Sequence, residues 1–413
     1  MRDFIKVIFF ICILIPSCKS NTQLYNKDLK VIDVAGGVGK GRLANLTEVA
    51  DSIEYIPLET NLKSIINAKN EWFHSTHRWI LYEKDIVYFP QKTGSIKIFN
   101  SKGKFVSTFD RLGKGPQEYY RLGKPHIDNA SGKIIINPTN KVVEYSLNGE
   151  FIRNVTPPQE NEVDNSFFGS NCLKLGDYYF YPCYSLSKYS VIITDCSSKV
   201  IKKLKYPQEE VDYAKNQGRP FSFQYPYIYL YNESIRLING NNKYVIGIDK
   251  DLSVDTVFII NYGKYNAMND NSEMRYLPYS SYLWRYSDII ESDNYLFMIF
   301  HVGSLSKKPY KMFNPIGKEF INPNSCAFFN KNTGGFTFLD QPEINQIGFV
   351  DDIEGGPAIW PKYVSSDNYL ISFIPAEEFI AHAKSHQVSE KFKTIADGLK
   401  VTDNPVFVKV KLK

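Results

Sequence analysis

The sequence predicts an all-β protein, a six-bladed β-propeller of four-stranded antiparallel blades with a short helical insertion in the last blade. Three observations carry this expectation. The chain of 413 residues holds 29 Tyr, 28 Phe, 25 Gly and 21 Pro, a mixture that suits pleated, half-buried strands joined by many tight turns. Four strand-like runs separated by turn residues occupy 78–110. That unit then returns along the chain at the spacing of propeller blades.

The first 17 residues read as a leader. Arg2 and Lys6 precede an apolar run over 7–15, then Pro16, Ser17 and Cys18. A bilayer-spanning helix needs about 20 apolar residues, so this run is a signal peptide rather than a permanent span. A small residue directly before a cysteine resembles a bacterial lipobox, in which Cys18 is lipidated and becomes the mature first residue. The alternative is ordinary cleavage near Ser17, with Cys18 an unmodified thiol. The division expected is a signal peptide over 1–17, a lipidated N-terminus and linker over 18–50, and the propeller over 51–413.

The first full unit has runs at 79–82, 86–89, 96–99 and 105–109, and the second at 126–128, 134–136, 142–145 and 151–155. Their third hairpins match: IKIFNSKGKFV from Ile96 and VVEYSLNGEFI from Val142 both set a turn ending in Gly between two strands. Fainter copies are VIITDCSSKVI from Val191, YVIGIDKDLSV from Tyr244 and CAFFNKNTGGF from Cys326. The Lys- and Pro-rich stretch 301–324 reads as an insertion. A sixth unit comes from 369–374 and 406–412, and pairing of 53–58 beside 406–412 would close the ring with both ends of the chain in one blade. Within that unit, 376–399 carries Phe379, Ile380, Ala383, Phe392, Ile395 and Ala396 at helical spacing after Pro375.

Charge and cysteine content exclude some functions. The net charge of +5 is spread over 49 basic and 44 acidic residues with no basic block, so nucleic acid is not an expected partner. GGVGKG from Gly36 lacks the spacing and strand-to-helix context of a phosphate loop, so no nucleotide is expected. Cys172, Cys183, Cys196 and Cys326 match no zinc spacing, although an oxidising compartment permits disulfides among them. No nucleophile or metalloprotease motif is present. His74, His77 and His301 read as ordinary polar residues.

Four stretches carry a family resemblance: EYIPLET from Glu54, IFNSKGKFV with the following GKGPQEY from Gly113, GGPAIWP from Gly355, and DNPVFVKVKLK from Asp403. The chain resembles the six-bladed β-propeller lipoproteins of Bacteroidetes, which are related in shape to NHL-type propellers. The resemblance spans nearly the whole mature chain, implies the fold, and leaves the function open. The segment after Cys18 lacks the acidic run of surface-displayed lipoproteins in some Bacteroidetes, which points to an outer-membrane lipoprotein on the periplasmic side.

Two loops are candidate ligand sites. Arg111, Lys114, Glu118 and Tyr119 lie where one blade crosses to the next, and turn chemistry alone also accounts for Gly113, Gly115 and Pro116. Asp351, Asp352 and Glu354 beside Trp360 suit a sugar or a hard cation such as calcium, the other reading being a tight turn with Trp360 filling space between blades. The function expected is a noncatalytic binding or scaffold module in the cell envelope, for a glycan, peptide or protein. The alternative is a propeller enzyme, such as a metal-dependent lactonase or lyase working at the central channel.

Overall fold

Six sheets of short antiparallel strands stand around a common axis. A computed structural model of the chain describes residues 29–66, 80–128, 130–137, 141–158, 172–183, 188–216, 226–240, 243–266, 281–286, 289–314 and 316–413. Blade 1 runs Leu81–Glu83, Ile86–Pro90, Ile96–Asn100 and Phe105–Phe109 from the axis outward. Blades 2, 3 and 4 begin on innermost strands His126–Asp128, Leu173–Leu175 and Tyr227–Tyr231 and repeat the same meander. Blade 5 has a split inner strand, Trp284–Arg285 and Ile290–Glu291, both pairing with Tyr295–His301. In each blade the outermost strand leads to the next innermost one at one face of the ring, here termed the crossover face.

Blade 6 joins the two ends of the chain. Its inner three strands are Tyr363–Val364, Tyr369–Ile374 and Val406–Leu412, and its outer strand is Ala50–Pro57. Ala50 stands opposite Leu412 and Pro57 opposite Val406 in an antiparallel register, which is the closure expected from the sequence. The alternation of Ile53 and Tyr55 with exposed Ser52 and Glu54 puts apolar groups on one face of this strand. Gly103 seals the joint with blade 1. Its φ of +76° makes the turn after Ile96–Asn100, and a side chain there would meet the Pro57 carbonyl at 2.2 Å. The Gly103 carbonyl instead accepts from the Glu59 N–H at 2.8 Å.

The helical insertion of blade 6 is a pair, Ala376–Ser385 and Glu390–Asp397. Phe379 and Phe392 stack at 3.9 Å between the two helices, and Tyr55 meets both rings edge-on at 5.3 and 5.0 Å. The apolar stripe read from the sequence therefore faces the closing strand. Blade 5 holds an inserted hairpin, Tyr310–Phe313 with Glu319–Asn322, inside the stretch expected to be an insertion.

Residues 30–49, which the sequence groups with the linker, are folded onto the ring. Lys30–Ile32 adds a parallel fifth strand to blade 4 beside Val254–Ile260. The chain then crosses blade 5, with Arg42 bridged to Leu339 and Asn45 to Val350, before entering blade 6. Ile32, Val34, Leu46 and Val49 are fully buried, which is the physical reason the segment stays down. A further helix, Gln208–Asn216, follows blade 3.

Phe407 is fully buried in the closing strand, 5.5 Å from the ring of Tyr82 in blade 1. Truncating a buried aromatic of this kind costs about 3–5 kcal/mol. We expect Phe407→Ala to lower the urea midpoint accordingly, while Val106→Ala on the exposed rim of blade 1 stays within about 0.5 kcal/mol of the parent.

Candidate functional site

The innermost strand of blade 4 reads Tyr-Ile-Tyr-Leu-Tyr, so Tyr227, Tyr229 and Tyr231 share one face by the two-residue period of a strand. That face looks toward blade 5. Tyr231 Oη donates to Asp293 Oδ1 at 3.2 Å and Tyr229 Oη to Glu291 Oε2 at 2.8 Å. Tyr227, nearest the crossover face, stacks on Tyr229 at 5.6 Å. The guanidinium of Arg285, from blade 5, lies 4.8 Å from the Tyr227 ring centre. Lys124, on the loop entering blade 2, brings its Nζ within 5.5 Å of the same ring. Beside Arg285, Trp284 stacks on His301 at 3.7 Å with ring planes 12° apart. Groups from blades 2, 4 and 5 thus meet at the crossover mouth of the channel, where two cations lie by the ring of Tyr227.

Below this mouth the polar groups are bound to one another between blades. Glu291 accepts from Tyr229 and from Arg236 Nε at 3.2 Å, both of blade 4, and pairs with Lys331 Nζ at 2.7 Å. Burial pushes the Lys331 ammonium below its ordinary pKa against the pull of Glu291. Glu83 of blade 1 accepts from Tyr363 Oη and Ser366 Oγ of blade 6, each at 2.5 Å. Glu144 of blade 2 pairs with Lys133 at 2.8 Å and Arg153 at 3.0 Å, and accepts from Tyr179 of blade 3. Burial alone would raise the Glu144 carboxyl; the hydrogen bonds from Lys133, Tyr179 and Arg153 outweigh it and hold the group below its ordinary value. Asp128 and Lys174 join blades 2 and 3 in the same way at 2.6 Å, and Asp128 is likewise held low despite burial.

The candidates read from the sequence occupy two separate crossings. Between blades 1 and 2, Tyr119 is fully buried and donates to the Gly94 carbonyl at 2.6 Å. Glu118 accepts from the Gly115 N–H at 2.7 Å, and Arg111 donates to the Gly149 carbonyl at 3.3 Å. Lys114 lies on the same turn. Between blades 5 and 6, buried Asp351 accepts from Tyr55 Oη and the Gly356 N–H, both at 2.7 Å, and from the Ile353 and Glu354 N–H groups at 3.1 Å. Asp352 accepts from the Thr47 N–H at 3.0 Å, while Glu354 pairs with Lys391 at 3.5 Å and accepts from Ser389. Trp360 stacks over Phe349 in the core at 6.2 Å. The structure brings Asp351, Asp352 and Glu354 to one turn and engages their oxygens with the protein itself. Among the described residues no three His, Cys, Asp or Glu side chains form a metal-holding group. Cys172, Cys183 and Cys326 are buried and Cys196 is exposed. Cys18, His74 and His77 lie outside the described residues.

Lys124, Tyr227, Trp284 and Arg285 escaped the sequence reading because they are scattered over 160 positions and share no local motif. The one legible signal was the tyrosine alternation of 227–231.

A closed ring of six four-stranded blades with a side-chain cluster at the crossover mouth defines a six-bladed β-propeller. Within that class, the family model described as domain of unknown function DUF4934 matches residues 29–411, and the chain belongs to that family. Among solved structures it is similar to a Bacteroides fragilis protein described as a candidate exported protein, at 15% identity and a TM-score of 0.63, over 93% of this chain and 99% of that one. It is also similar to a DUF4221 family member from Bacteroides vulgatus, at 12% identity and a TM-score of 0.47, over 88% and 97% of the two chains. Streptogramin B lyase aligns at 10% identity and a TM-score of 0.40, over 88% and 98%. The first likeness shows the shared fold. No curated protein matches the chain.

His126 gives the ring a dependence on pH. Its Nδ1 is buried without a hydrogen-bond partner among the described residues, and burial pulls its pKa to about 4, with Asp128 opposing. A histidine whose folded pKa is depressed adds full stability above its unfolded value near 6.5 and loses it as pH falls toward about 4. Asp128 and Glu144, also depressed, extend the loss below about pH 4. We expect the thermal midpoint to fall between pH 7 and pH 4.5, and His126→Gln to remove roughly half of that fall. An unchanged slope in the variant assigns the dependence to other groups.

Proposed function

We propose that this protein is an exported, lipid-anchored propeller of the cell envelope that acts without catalysis, binding a glycan, peptide or protein partner at the crossover mouth. The observation that carries the reading is the convergence of Lys124, Tyr227 and Arg285 from three blades. Aromatic faces present apolar area to the C–H face of a sugar or to a peptide side chain, and the flanking cations suit an acidic group on the same ligand. The carboxylates nearest the channel serve the joints between blades, which supports binding over acid–base chemistry. The leader ending at Cys18 supports the anchor and an outer-membrane location, periplasmic side. The Bacteroides fragilis neighbour described as a candidate exported protein agrees with export.

A screen of the purified protein on glycan and peptide arrays tests the site. A hit should lose about tenfold in affinity, or about 1.4 kcal/mol, in Tyr227→Ala and in Arg285→Ala, and keep its affinity in Val106→Ala on the exposed outer strand of blade 1. Equal affinity in all three variants removes the mouth from the proposal, and turnover of the bound compound would replace binding by the lactonase or lyase alternative. Independently, Cys18→Ala should move the protein from the membrane to the soluble fraction of cells; retention in the membrane fraction overturns the lipid anchor.

A further inference from the structure

The hairpin of blade 5 is built as a rigid finger with an apolar outer surface. Its inner side is fixed: Tyr310 and Met312 are buried, Tyr310 Oη donates to the Leu339 carbonyl at 2.8 Å, and the Cys326 N–H donates to Tyr310 Oη at 3.1 Å. Two side chains of the following loop hold its edge, Gln341 accepting from the Lys311 N–H at 2.7 Å and Asn345 from the Phe313 N–H at 2.6 Å. The outer side and tip carry Phe313, Ile316 and Ile321 to solvent, with Ile316 86% and Ile321 59% exposed, while Phe320 stands opposite buried Met312 on the inner side. Ile344, on the loop that holds the finger, is exposed beside them. Single exposed apolar residues are ordinary, but three on the finger with Ile344 beside them form a patch that soluble surfaces avoid unless it is used.

Charge and position identify the occupant. Lys307, Lys308, Lys311 and Lys318 surround the finger, against Glu319 paired with Lys311 at 3.4 Å and Asp340 paired with Lys308 at 2.7 Å, so its net charge is positive. The N-terminal segment passes against the base of the same finger: Val38, Gly39 and Gly41 share with Leu305, Lys307 and Lys308 the lining of a cavity of about 260 Å³. From Cys18 to Lys30 the chain runs 12 residue steps, which reach at most about 40 Å when extended. A lipid on Cys18 would therefore hold the edge of blade 4, with the finger of neighbouring blade 5, within reach of the bilayer.

We propose that the blade 5 finger docks on the membrane surface, inserting Phe313, Ile316 and Ile321 among acyl chains while its lysines meet anionic headgroups. The inference rests on the lipid anchor proposed above. It makes the anchor one of two membrane signals and sets the ring at a fixed tilt, blade 5 down and blade 2 up.

The test uses the full lipidated protein in vesicles of phosphatidylethanolamine and phosphatidylglycerol, 7:3, with and without brominated acyl chains. Tryptophan is placed by Ile316→Trp on the finger and by Ile152→Trp on the exposed rim of blade 2, and the native tryptophan signal is subtracted. The expected result is at least twofold stronger quenching for Ile316→Trp than for Ile152→Trp, reduced to parity when Ile321→Asp is added. Equal quenching at the two positions overturns the proposal, as does a concentration-dependent doubling of mass that Ile316→Asp abolishes, which assigns the patch to a second copy. Flotation of the vesicles reports the anchor separately: protein that fails to float refutes the anchor, whereas protein that floats with unquenched Ile316→Trp refutes only the docking.

Discussion

Every blade of this ring depends on the pairing of Ala50–Pro57 with Val406–Leu412. Blades 1 to 5 are built on sequential meanders of neighbouring stretches of chain, with Lys30–Ile32 added at the edge of blade 4, and any of these meanders can in principle pair its strands alone. Blade 6 cannot. Without its outer strand the sheet would expose the edge of Val406–Leu412, a run that alternates buried apolar groups with lysines. Closure also carries the largest sequence separation in the fold, so the entropy of joining the ends falls on one contact. The joint is reinforced accordingly, by Gly103 against Pro57 on one side and by the Tyr55, Phe379 and Phe392 rings on the other.

Between blades the recurring device is a carboxylate that reaches the neighbouring sheet, from the innermost strand at Glu83, Asp128 and Glu291 and from the third strand of blade 2 at Glu144. Glu83, Asp128, Glu144 and Glu291 all do this, with tyrosines, lysines or arginines as partners. Buried ion pairs of this kind add little net stability over apolar packing, because desolvation offsets attraction. They are costly to break on one side, however, and they have only one good geometry. Apolar faces of adjacent blades slide past one another at small cost; a carboxylate with two or three donors does not. The polar channel wall therefore fixes the rotational setting of each blade, while the large apolar clusters supply the stability.

Much of the fold was legible because its units are local. Hairpins ending in Gly103 and Gly149 announce themselves by residues that tolerate positive φ, at +76° and +85°. The helix pair after Pro375 showed in its apolar period. The parallel pairing of Lys30–Ile32 did not, since three residues on a sheet edge leave no periodic trace and their partner lies more than 200 positions away. The cluster of Lys124, Tyr227 and Arg285 is hidden for the same reason: a propeller assembles its mouth from one or two residues per blade, so proximity exists only after closure. By contrast, Arg111 to Tyr119 stood out by polar groups at a blade crossing and Asp351 to Trp360 by carboxylates beside an aromatic, and the structure shows those polar atoms engaged largely by their own turns and neighbouring segments.

The path of residues 30–49 also has a mechanical meaning. A protein held by its N-terminus transmits any drag on its body through that terminus. Under the proposed anchor, tension would enter at Lys30, on the edge of blade 4, two blades away from the strand that closes the ring. To reach Ala50 it must first strip three parallel rungs, then lift Ile32, Val34 and Leu46 from their burial across blade 5. The segment works as the strain relief on a cable: load is dissipated along its length, and the joint that would open the whole ring is the last part to feel it.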